Sequence, residues 1–369
     1  MVDIGQFAPR LHSGPGFLPS SANPDGATPS GGIPSRDVEA SLAAGAHPSA
    51  PIGVMPGIPG IGERLRRPFG DTDLRVFPVG LGGSVFGWTA SADETRGILD
   101  RYADYGGNFI DTADSYAGGL SEVRIGAWMA HRGNRDRMVV STKIGRHPDA
   151  PGLGPVNMVR AVEASLERLQ TDHIDLLFFH TDDETVPLED SLGTAAWLIE
   201  SGKVRYLAAS NFTPARIVEA RILASTGLPR FVGLQHEYSL LSRRGFEGDS
   251  ELVARGQRLG VLAYYALGNG FLTGKYRSRA DFVGGGSRAA RASAHFGRRG
   301  LRILSVLDHV AAEHNTSPTS IALAWLLAKQ TVTAPVVSAS RPDQVDDLVA
   351  ATGVQLTRTQ MVELDRVSS

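Results

Sequence analysis

Four side chains that can carry protons stand at the ends of consecutive apolar segments. Asp111 closes the second segment, and Tyr116 follows it in a glycine-rich loop. Lys143 stands at the end of the third segment and His180 at the end of the fourth. If these segments are parallel strands of one α/β barrel, their carboxyl ends meet on the face where such barrels do chemistry. A carboxylate, a phenol, an ammonium and an imidazole brought together there would form a site for proton transfer.

Each of these residues also has a purely structural interpretation. Asp111 could cap the following loop, and Tyr116 could be a packing aromatic. Lys143 could be an exposed loop residue, and His180 could be a hydrogen-bonded histidine of the core. The structural interpretations weaken when they are taken together, because all four residues would then have to converge by accident.

The pattern of apolar segments predicts the elements that position these residues. Eight short apolar runs recur along the chain, at 79–81, 108–110, 138–141, 174–179, 204–208, 231–234, 261–263 and 334–337. Helical patterns lie between most of them, for example at 93–105, 157–169, 188–200, 213–225, 250–259 and 317–327. This alternation indicates βαβ units and a parallel sheet. Eight units in about 300 residues favour an α/β fold of the closed (β/α)8 TIM-barrel type over a doubly wound sheet. A strand-and-turn pattern at 74–83 adds an N-terminal hairpin.

Residues at the expected helix ends agree with this assignment. Asp190, Thr213 and Ser317 are capping types near helix starts, and Pro214 and Pro318 suit a first helical position. Gly202 follows a helix end, where a left-handed residue is expected.

Residues 1–60 differ in composition from the rest of the chain. They hold nearly half of the 21 prolines, many Gly, Ser and Ala, no Lys, and only Phe7 and Phe17 as aromatics. Such a segment buries too little apolar area to offset its ordering entropy. We therefore expect a disordered tail at 1–60 and a barrel domain at 61–369. A tail that docks a partner or blocks the active site is the functional alternative.

Composition excludes several classes of function. The chain has 369 residues, no cysteine and a formal net charge of −2. Disulfides, thiolate metal sites and cysteine nucleophiles are therefore excluded, and the composition fits a cytoplasmic enzyme. The scattered histidines predict no metal site. The charge gives no reason to expect nucleic acid or an anionic membrane as a partner. No apolar run approaches the roughly 20 residues of a membrane span, and no secretory signal opens the chain.

Two glycine-rich motifs fail as nucleotide signatures. The sequence at 80–83, Gly-Leu-Gly-Gly, lacks the third glycine of a dinucleotide fingerprint and the acidic residue that should follow it. The stretch 268–276 resembles a phosphate-binding loop, but its spacing is wrong and Tyr276 stands where Ser or Thr should hold magnesium.

Longer segments carry a more specific signal. The sequence at 111–122 is Asp-Thr-Ala-Asp-Ser-Tyr-Ala-Gly-Gly-Leu-Ser-Glu, that at 141–145 is Ser-Thr-Lys-Ile-Gly, and that at 174–180 is Ile-Asp-Leu-Leu-Phe-Phe-His. Further matches lie at 202–212, 235–239, 270–276 and 338–344. From about residue 65 to residue 369, in order and in register, the chain resembles the aldo-keto reductase family. The likeness is to its NADPH-dependent bacterial type, which is related to the potassium-channel β subunits.

The resemblance implies a role for each of the four polar residues. Tyr116 would be the general acid that protonates a carbonyl oxygen as hydride arrives. A phenol has a pKa near 10, and the ammonium of Lys143 would lower it. Asp111 would hold Lys143 charged and oriented. His180 would donate a hydrogen bond to the substrate carbonyl.

The resemblance also implies an extended NADPH site without a Rossmann domain. The residues it assigns to the cofactor are Ser210, Asn211, Gln235, Tyr264, Leu267, Gly268, Lys275, Ser338, Ser340, Arg341, Gln344 and Asp347. A guanidinium and hydroxyls at 338–341 suit the 2′-phosphate, which favours NADPH over NADH. Gln344 stands where many members have a second Arg, and Leu348 replaces a common Asn. Tyr265-Ala266 replaces a common Ser-Pro. We therefore expect an NADPH preference with reduced discrimination against NADH.

The substrate is less constrained by the sequence. Phe86, Trp88 and Thr181 are candidate pocket residues, although Phe86 and Trp88 could instead pack at the base of a loop. The Arg-rich loop at 284–300 could attract an anionic substrate, close over the cofactor or remain a solvated loop. Asp182 and Asp183 argue against a strongly anionic substrate.

The function expected from the sequence is the reduction of a small-molecule aldehyde or ketone. A regulatory or sensor subunit on the same barrel is an alternative, and an isomerase or lyase that binds no NADPH is another. The sequence does not determine the oligomeric state.

Overall fold

The fold is a closed parallel barrel preceded by a hairpin. The computed structural model describes residues 61–369, and the tail expected at 1–60 lies outside them. Arg67–Pro68 (β1) pairs antiparallel with Arg75–Val76 (β2). The eight barrel strands are β3 (Gly80–Gly82), β4 (Phe109–Asp111), β5 (Val139–Ile144), β6 (Ile174–Phe179), β7 (Val204–Ser210), β8 (Gly233–Glu237), β9 (Gly260–Tyr264) and β10 (Val332–Val337). They follow one another in chain order around the barrel, and β10 closes it against β3. The expected (β/α)8 barrel with its N-terminal hairpin is confirmed.

Helices cover the outside of the barrel. They are α1 (Ile61–Leu65), α2 (Ala92–Asp104), α3 (Leu120–Arg132), α4 (Pro155–Leu169), α5 (Leu188–Glu200), α6 (Pro214–Ala224), α7 (Asp249–Gly256), α8 (Gly286–Ser293), α9 (Arg298–Glu313), α10 (Pro318–Leu327), α11 (Gln344–Ala350) and α12 (Arg358–Ser368). Short 3-10 helices lie at Tyr116–Gly119, Arg135–Arg137, Gly268–Thr273, Arg279–Phe282 and Ala351–Gly353. No helix within residues 61–369 is long and apolar enough to cross a bilayer.

Two of the three expected caps are present. Thr213 and Ser317 accept hydrogen bonds from the backbone amides of Arg216 and Ser320, and each precedes a proline at the helix start. Asp190 does not cap its helix, because α5 begins two residues earlier and Asp190 lies in its first turn. Gly202 has a φ of +75°, as expected for a residue that follows a helix end.

The hairpin closes the amino-terminal end of the barrel. A Cβ on Gly233 would come within 2.6 Å of the Phe69 ring, and a Cβ on Gly260 within 2.9 Å. Both glycines therefore make room for this aromatic side chain. Beneath the barrel, buried Asp175 accepts hydrogen bonds from Arg135 and Arg205 at 2.8 and 2.7 Å. The amino-terminal end is therefore closely packed, and the charge of Asp175 there is neutralised. The open face of the barrel lies at the carboxyl ends of the strands.

The long connection after β9 contains more helix than the sequence suggested. The stretch expected to be an Arg-rich loop at 284–300 contains α8 and the start of α9. Ala289 and Ala292 of α8 are fully buried. Two glycines just before this helix and a third as its first residue hide it in the sequence, while its alanines favour helix formation.

Candidate active site

A buried ion pair joins two neighbouring strands at the open end of the barrel. Lys143 Nζ donates to Asp111 Oδ2 at 2.6 Å and to the Thr112 carbonyl oxygen at 2.8 Å. Asp111 Oδ1 accepts from Ser141 Oγ at 2.7 Å and from Gln235 Nε2 at 3.2 Å. The side chains of Lys143 and Asp111 are only 1% and 3% exposed. Lys143 is therefore not the exposed loop residue of the structural interpretation.

Asp111 keeps Lys143 charged inside the barrel. Burial is the largest influence and acts to lower the pKa of the Lys143 ammonium, but the Asp111 carboxylate and the Tyr116 phenol together outweigh it, and the net pKa is raised. An opposite charge at hydrogen-bond distance favours the charged form. The result is a fixed positive charge at the floor of the open face.

The loop that carries Tyr116 bends through a left-handed stretch. Ala117, Gly118 and Gly119 have φ angles of 51°, 62° and 88°. A Cβ at Gly119 would also meet the Arg168 side chain at 2.7 Å, so both backbone and space require glycine there. This turn returns the chain into α3 and leaves the Tyr116 ring centroid 5.2 Å from Lys143 Nζ.

The acidity of Tyr116 differs in direction from the sequence-based expectation. Burial raises the pKa of the phenol, and the nearby ammonium of Lys143 reduces this rise without reversing it. The expectation of a lowered value counted the ammonium but not the loss of solvation. The phenol therefore holds its proton firmly at neutral pH.

His180 completes the group as a neutral imidazole. Its backbone amide donates to the carbonyl oxygen of Ile144 at 3.0 Å, which places it directly after β6 and beside the end of β5. The ring meets the Tyr116 ring edge-on, with the centroids 6.0 Å apart. Burial lowers the pKa of His180 to about 2, and the charges of Lys143 and Arg146 act in the same direction. Its Nδ1 is buried and has no hydrogen-bond partner within residues 61–369. His180 is therefore not a fully satisfied core histidine.

The residues assigned to the nicotinamide lie together beside His180. Ser210 and Gln235 are buried register partners on β7 and β8. Asn211, whose φ is +59°, donates from Nδ2 to the His180 carbonyl oxygen at 2.9 Å. Its Oδ1 accepts from the Tyr264 hydroxyl at 2.7 Å. Hydroxyl, amide and ring thus lie along one side of the open face.

The residues assigned to the pyrophosphate lie on the loop after β9. Leu267 precedes Gly268, and the next two residues also have positive φ. A Cβ on Gly270 would meet Lys275 Cε and Nζ at 3.3 Å, so the ammonium lies against this loop. Farther along the same connection, Arg288 lies over the Trp88 ring at 5.9 Å.

The residues assigned to the adenosine end form a small network around Gln344. Gln344 Oε1 accepts from the Ser340 amide at 2.8 Å, and Ser338 Oγ lies 3.2 Å from Ser84 Oγ. The Arg341 guanidinium donates to both Asp343 oxygens at 3.2 Å. The charge expected to meet a 2′-phosphate therefore already has an acidic neighbour. Asp347 is exposed on α11.

The candidate substrate residues separate into two groups. Phe86 is 0% exposed and packs in the hydrophobic core, so it fits the packing alternative. Trp88 is 51% exposed and Thr181 is partly exposed. Only these two have surface available to a substrate.

Asp182 and Asp183, the two acids that argued against an anionic substrate, both accept hydrogen bonds from other residues of the protein. Asp182 accepts two hydrogen bonds from Arg216, at 2.7 and 3.0 Å. Asp183 Oδ2 accepts from the Leu153 amide at 2.8 Å, and its Oδ1 accepts from Thr185. Arg216 therefore neutralises the charge of Asp182, whereas Asp183 keeps its negative charge, so the argument against an anionic substrate is reduced to Asp183.

A second buried acid group lies under the Tyr116 loop and was not identified from the sequence. Asp114 is 1% exposed, and neither of its carboxylate oxygens has a hydrogen-bond partner among the described residues. Burial, together with the charge of Glu122, raises its pKa to about 7. Glu122 itself is held by Thr142 and Arg168. Both acids belong to the motif at 111–122, but nothing in the sequence distinguishes them from solvated loop acids.

Comparisons with known proteins agree with this geometry. The family described as "Aldo/keto reductase family" matches residues 78–369. The chain is 35% identical to "Aldo-keto reductase ausK" of Aspergillus calidoustus, over 80% of this chain and 79% of that protein. It is 33% identical to "Norsolorinic acid reductase" of Aspergillus flavus, over 79% and 78% of the two chains. It is 30% identical to "Protein tas" of Escherichia coli, over 80% of this chain and 95% of that protein. The chain therefore belongs to the aldo/keto reductase family.

Proposed function

We propose that this protein is an NADPH-dependent reductase that transfers hydride to an aldehyde or ketone carbonyl, with Tyr116 as the general acid. The observation that carries the proposal is the buried Asp111–Lys143 pair, whose ammonium lies 5.2 Å from the Tyr116 ring centroid. A reductase relative among the curated proteins, "Norsolorinic acid reductase", supports the same reaction class.

The residues present suit a dinucleotide with several phosphates. Ser210, Asn211 and Gln235 offer hydroxyl and amide groups for a carboxamide. Arg288 is partly buried and forms no ion pair with a described carboxylate, and burial lowers its pKa. An anion beside it would therefore compensate the charge of the guanidinium. Lys275 lies against the glycine-rich loop at Gly270.

The cofactor would be held along this line of residues. Gln235 and its neighbours would hold the nicotinamide amide, and Tyr264 would lie against the ring. Lys275, Leu267, Gly268 and Arg288 would face the phosphates. Ser338, Ser340, Arg341 and Gln344 would hold the adenosine 2′-phosphate, with Asp347 near the base. When bound, NADPH supplies the hydride.

The chain's own residues manage the proton. Tyr116 is protonated at neutral pH, as a phenol with a pKa near 10 must be, and burial raises this pKa further. It releases that proton only when a carbonyl oxygen gains negative charge beside it. Lys143 stabilises the phenolate that remains, and Asp111 fixes Lys143 in position. A neutral imidazole carries one N–H, which His180 can donate to the same oxygen.

Substitution of Tyr116 by Phe tests the assignment. We expect Tyr116→Phe to lower kcat for an aldehyde by about 10²–10⁴-fold, while the quenching of protein fluorescence by NADPH stays as in the parent. The matched control is Tyr206→Phe, which removes a hydroxyl that reaches Asp73 at the opposite end of the barrel. Equal turnover by Tyr116→Phe and the parent would show the proposed mechanism to be wrong. A parent that binds NADPH but oxidises it with no aldehyde of a broad panel would favour the regulatory alternative.

A further inference from the structure

Arg146 occupies the open face next to the carbonyl-binding side. It stands two residues beyond the end of β5, the strand that carries Lys143. Gly145, with a φ of +102°, turns the chain there, and its carbonyl oxygen accepts from the Gly152 amide at 2.9 Å. The Ile144 carbonyl oxygen accepts from the His180 amide, so Arg146 begins the loop directly beside His180.

The charge of Arg146 affects the pKa of one residue on each of two sides of the open face. It contributes to the lowered pKa of His180 on one side. It also opposes the rise in the pKa of Tyr264, which burial causes on the other side. The guanidinium is exposed and therefore accessible to a solute.

Two of the neighbouring acids have partners of their own, because Arg216 donates to Asp182 and the Leu153 amide donates to Asp183. Asp149 is exposed and lies three residues beyond Arg146 in the same loop. Within residues 61–369 Arg146 itself forms no ion pair and no side-chain hydrogen bond. Glu237 is the carboxylate that raises the pKa of Tyr264. It ends β8, which lies three strands from β5 around the barrel. Among the described residues, the Arg146 loop beside His180 therefore carries a positive charge that has no ion-pair partner.

We propose that Arg146 selects carbonyl substrates that carry a carboxylate. This inference rests on the proposed reductase function and names the substrate class of the same site. A guanidinium presents paired N–H donors that match the two oxygens of a carboxylate. The cations assigned to the cofactor phosphates lie after β9 (Lys275 and Arg288) and after β10 (Arg341), so Arg146 at the end of β5 is left for the substrate.

The test compares two aldehydes that differ only in charge. 4-Carboxybenzaldehyde is anionic at pH 7, and its methyl ester is the neutral counterpart. The parent is expected to have a KM for the acid several-fold below that for the ester. In Arg146→Gln we expect the KM for the acid to rise about tenfold, while the KM for the ester changes less than twofold. Arg160→Gln, which removes an exposed arginine of α4, is the control and leaves both values unchanged.

A second measurement separates this inference from the proposed function. The dissociation constants of both aldehydes are measured by calorimetry with NADP+ present, where no reduction takes place. Weaker binding of the acid, but not of the ester, to Arg146→Gln supports the inference even if neither aldehyde oxidises NADPH. In that case the proposed reductase function is wrong, but the role of Arg146 in binding a carboxylate is supported. An unchanged ratio of acid to ester binding in Arg146→Gln overturns the role of Arg146, whether or not the enzyme turns over.

Discussion

Lys143 Nζ lies 2.6 Å from Asp111 Oδ2 inside the barrel, where neither side chain is more than 3% exposed. A buried ion pair of this kind contributes little net stability relative to an apolar pair, but the loss of one partner leaves an uncompensated charge. Here the pair holds an ammonium 5.2 Å from the centroid of the Tyr116 ring. Substitution of either residue is therefore expected to disturb the other.

Asp111→Asn should impair both stability and turnover. The amide can still accept from Ser141, but the largest influence that opposes burial at Lys143 is then lost, and the pKa of Lys143 falls. We expect a loss of about 3–5 kcal/mol in the free energy of unfolding. We also expect a fall in kcat of about 10²–10⁴-fold. Urea denaturation and the pH profile of kcat measure the two effects.

The exposed pair Arg96–Asp93 provides the control for this substitution. Its side chains are 61% and 86% exposed, and such pairs contribute little. Asp93→Asn should therefore change neither stability nor turnover. An Asp111→Asn enzyme with the parent's pH profile and kcat would contradict the assigned role of the pair.

The sequence predicted the positions of the strands better than it predicted which charged side chains are buried and paired. Apolar runs located all eight barrel strands, because strand interiors are buried on both faces. The run at 138–141 ended too early, since β5 continues to Ile144. Lys143 lies beyond this run and was open to a loop interpretation, but it is buried in the barrel, where Asp111 compensates its charge. A single strand segment does not reveal a partner on another strand.

Charge pairing was the part that the sequence could not provide. Asp182 was counted as a free negative charge, yet Arg216 of α6 neutralises it. The direction of the Tyr116 pKa was also predicted wrongly, because the burial of its phenol depends on residues from other strands and loops. Both errors concern contacts between residues that are distant in the sequence.

Asp343 should weaken the preference for NADPH. Its carboxylate holds the Arg341 guanidinium at 3.2 Å and would repel a 2′-phosphate there. We expect Asp343→Asn to lower the Kd for NADPH by about 3–10-fold, in line with a partly exposed charge contact, and to leave the Kd for NADH nearly unchanged. Fluorescence titration with each cofactor measures both constants. Asp172→Asn removes an exposed charge next to His173 and serves as the control. An equal change for the two cofactors would argue against a 2′-phosphate at Arg341.

His180 should make the fold sensitive to acid. Its pKa is about 2 in the folded protein and near 6.5 when unfolded. As pH falls below 6.5, the unfolded chain binds a proton that the folded protein does not, so stability is lost. The slope is at most about 1.4 kcal/mol per pH unit. We expect His180→Gln to lose about 1–2 kcal/mol less stability than the parent between pH 7 and pH 5, as measured by urea denaturation. Parallel losses in the two proteins would show that His180 is charged or solvated in solution.

Asp114 should have the opposite dependence on pH. Its pKa is raised to about 7 in the folded protein, against a value near 3.9 when unfolded. Between pH 4 and pH 7 the unfolded chain releases a proton that the folded protein keeps, so the group destabilises the fold progressively as pH rises. Asp114→Asn stays neutral and escapes this penalty. We expect it to be more stable than the parent by about 1–3 kcal/mol at pH 7.5 and nearly equal to it at pH 4.

Glu122→Gln is the matched comparison for Asp114→Asn, because Glu122 is buried on α3 beside the same loop but has partners. Arg168 Nε donates to its carboxylate at 2.7 Å, and Thr142 Oγ1 donates to the other oxygen. Neutralising Glu122 leaves the guanidinium without its anion, so this variant should be less stable than the parent at pH 7.5. Thermal unfolding of the three proteins at pH 4 and pH 7.5 measures the contrast. If Asp114→Asn is also destabilised at pH 7.5, the Asp114 carboxylate has a partner in solution and is ionised at neutral pH.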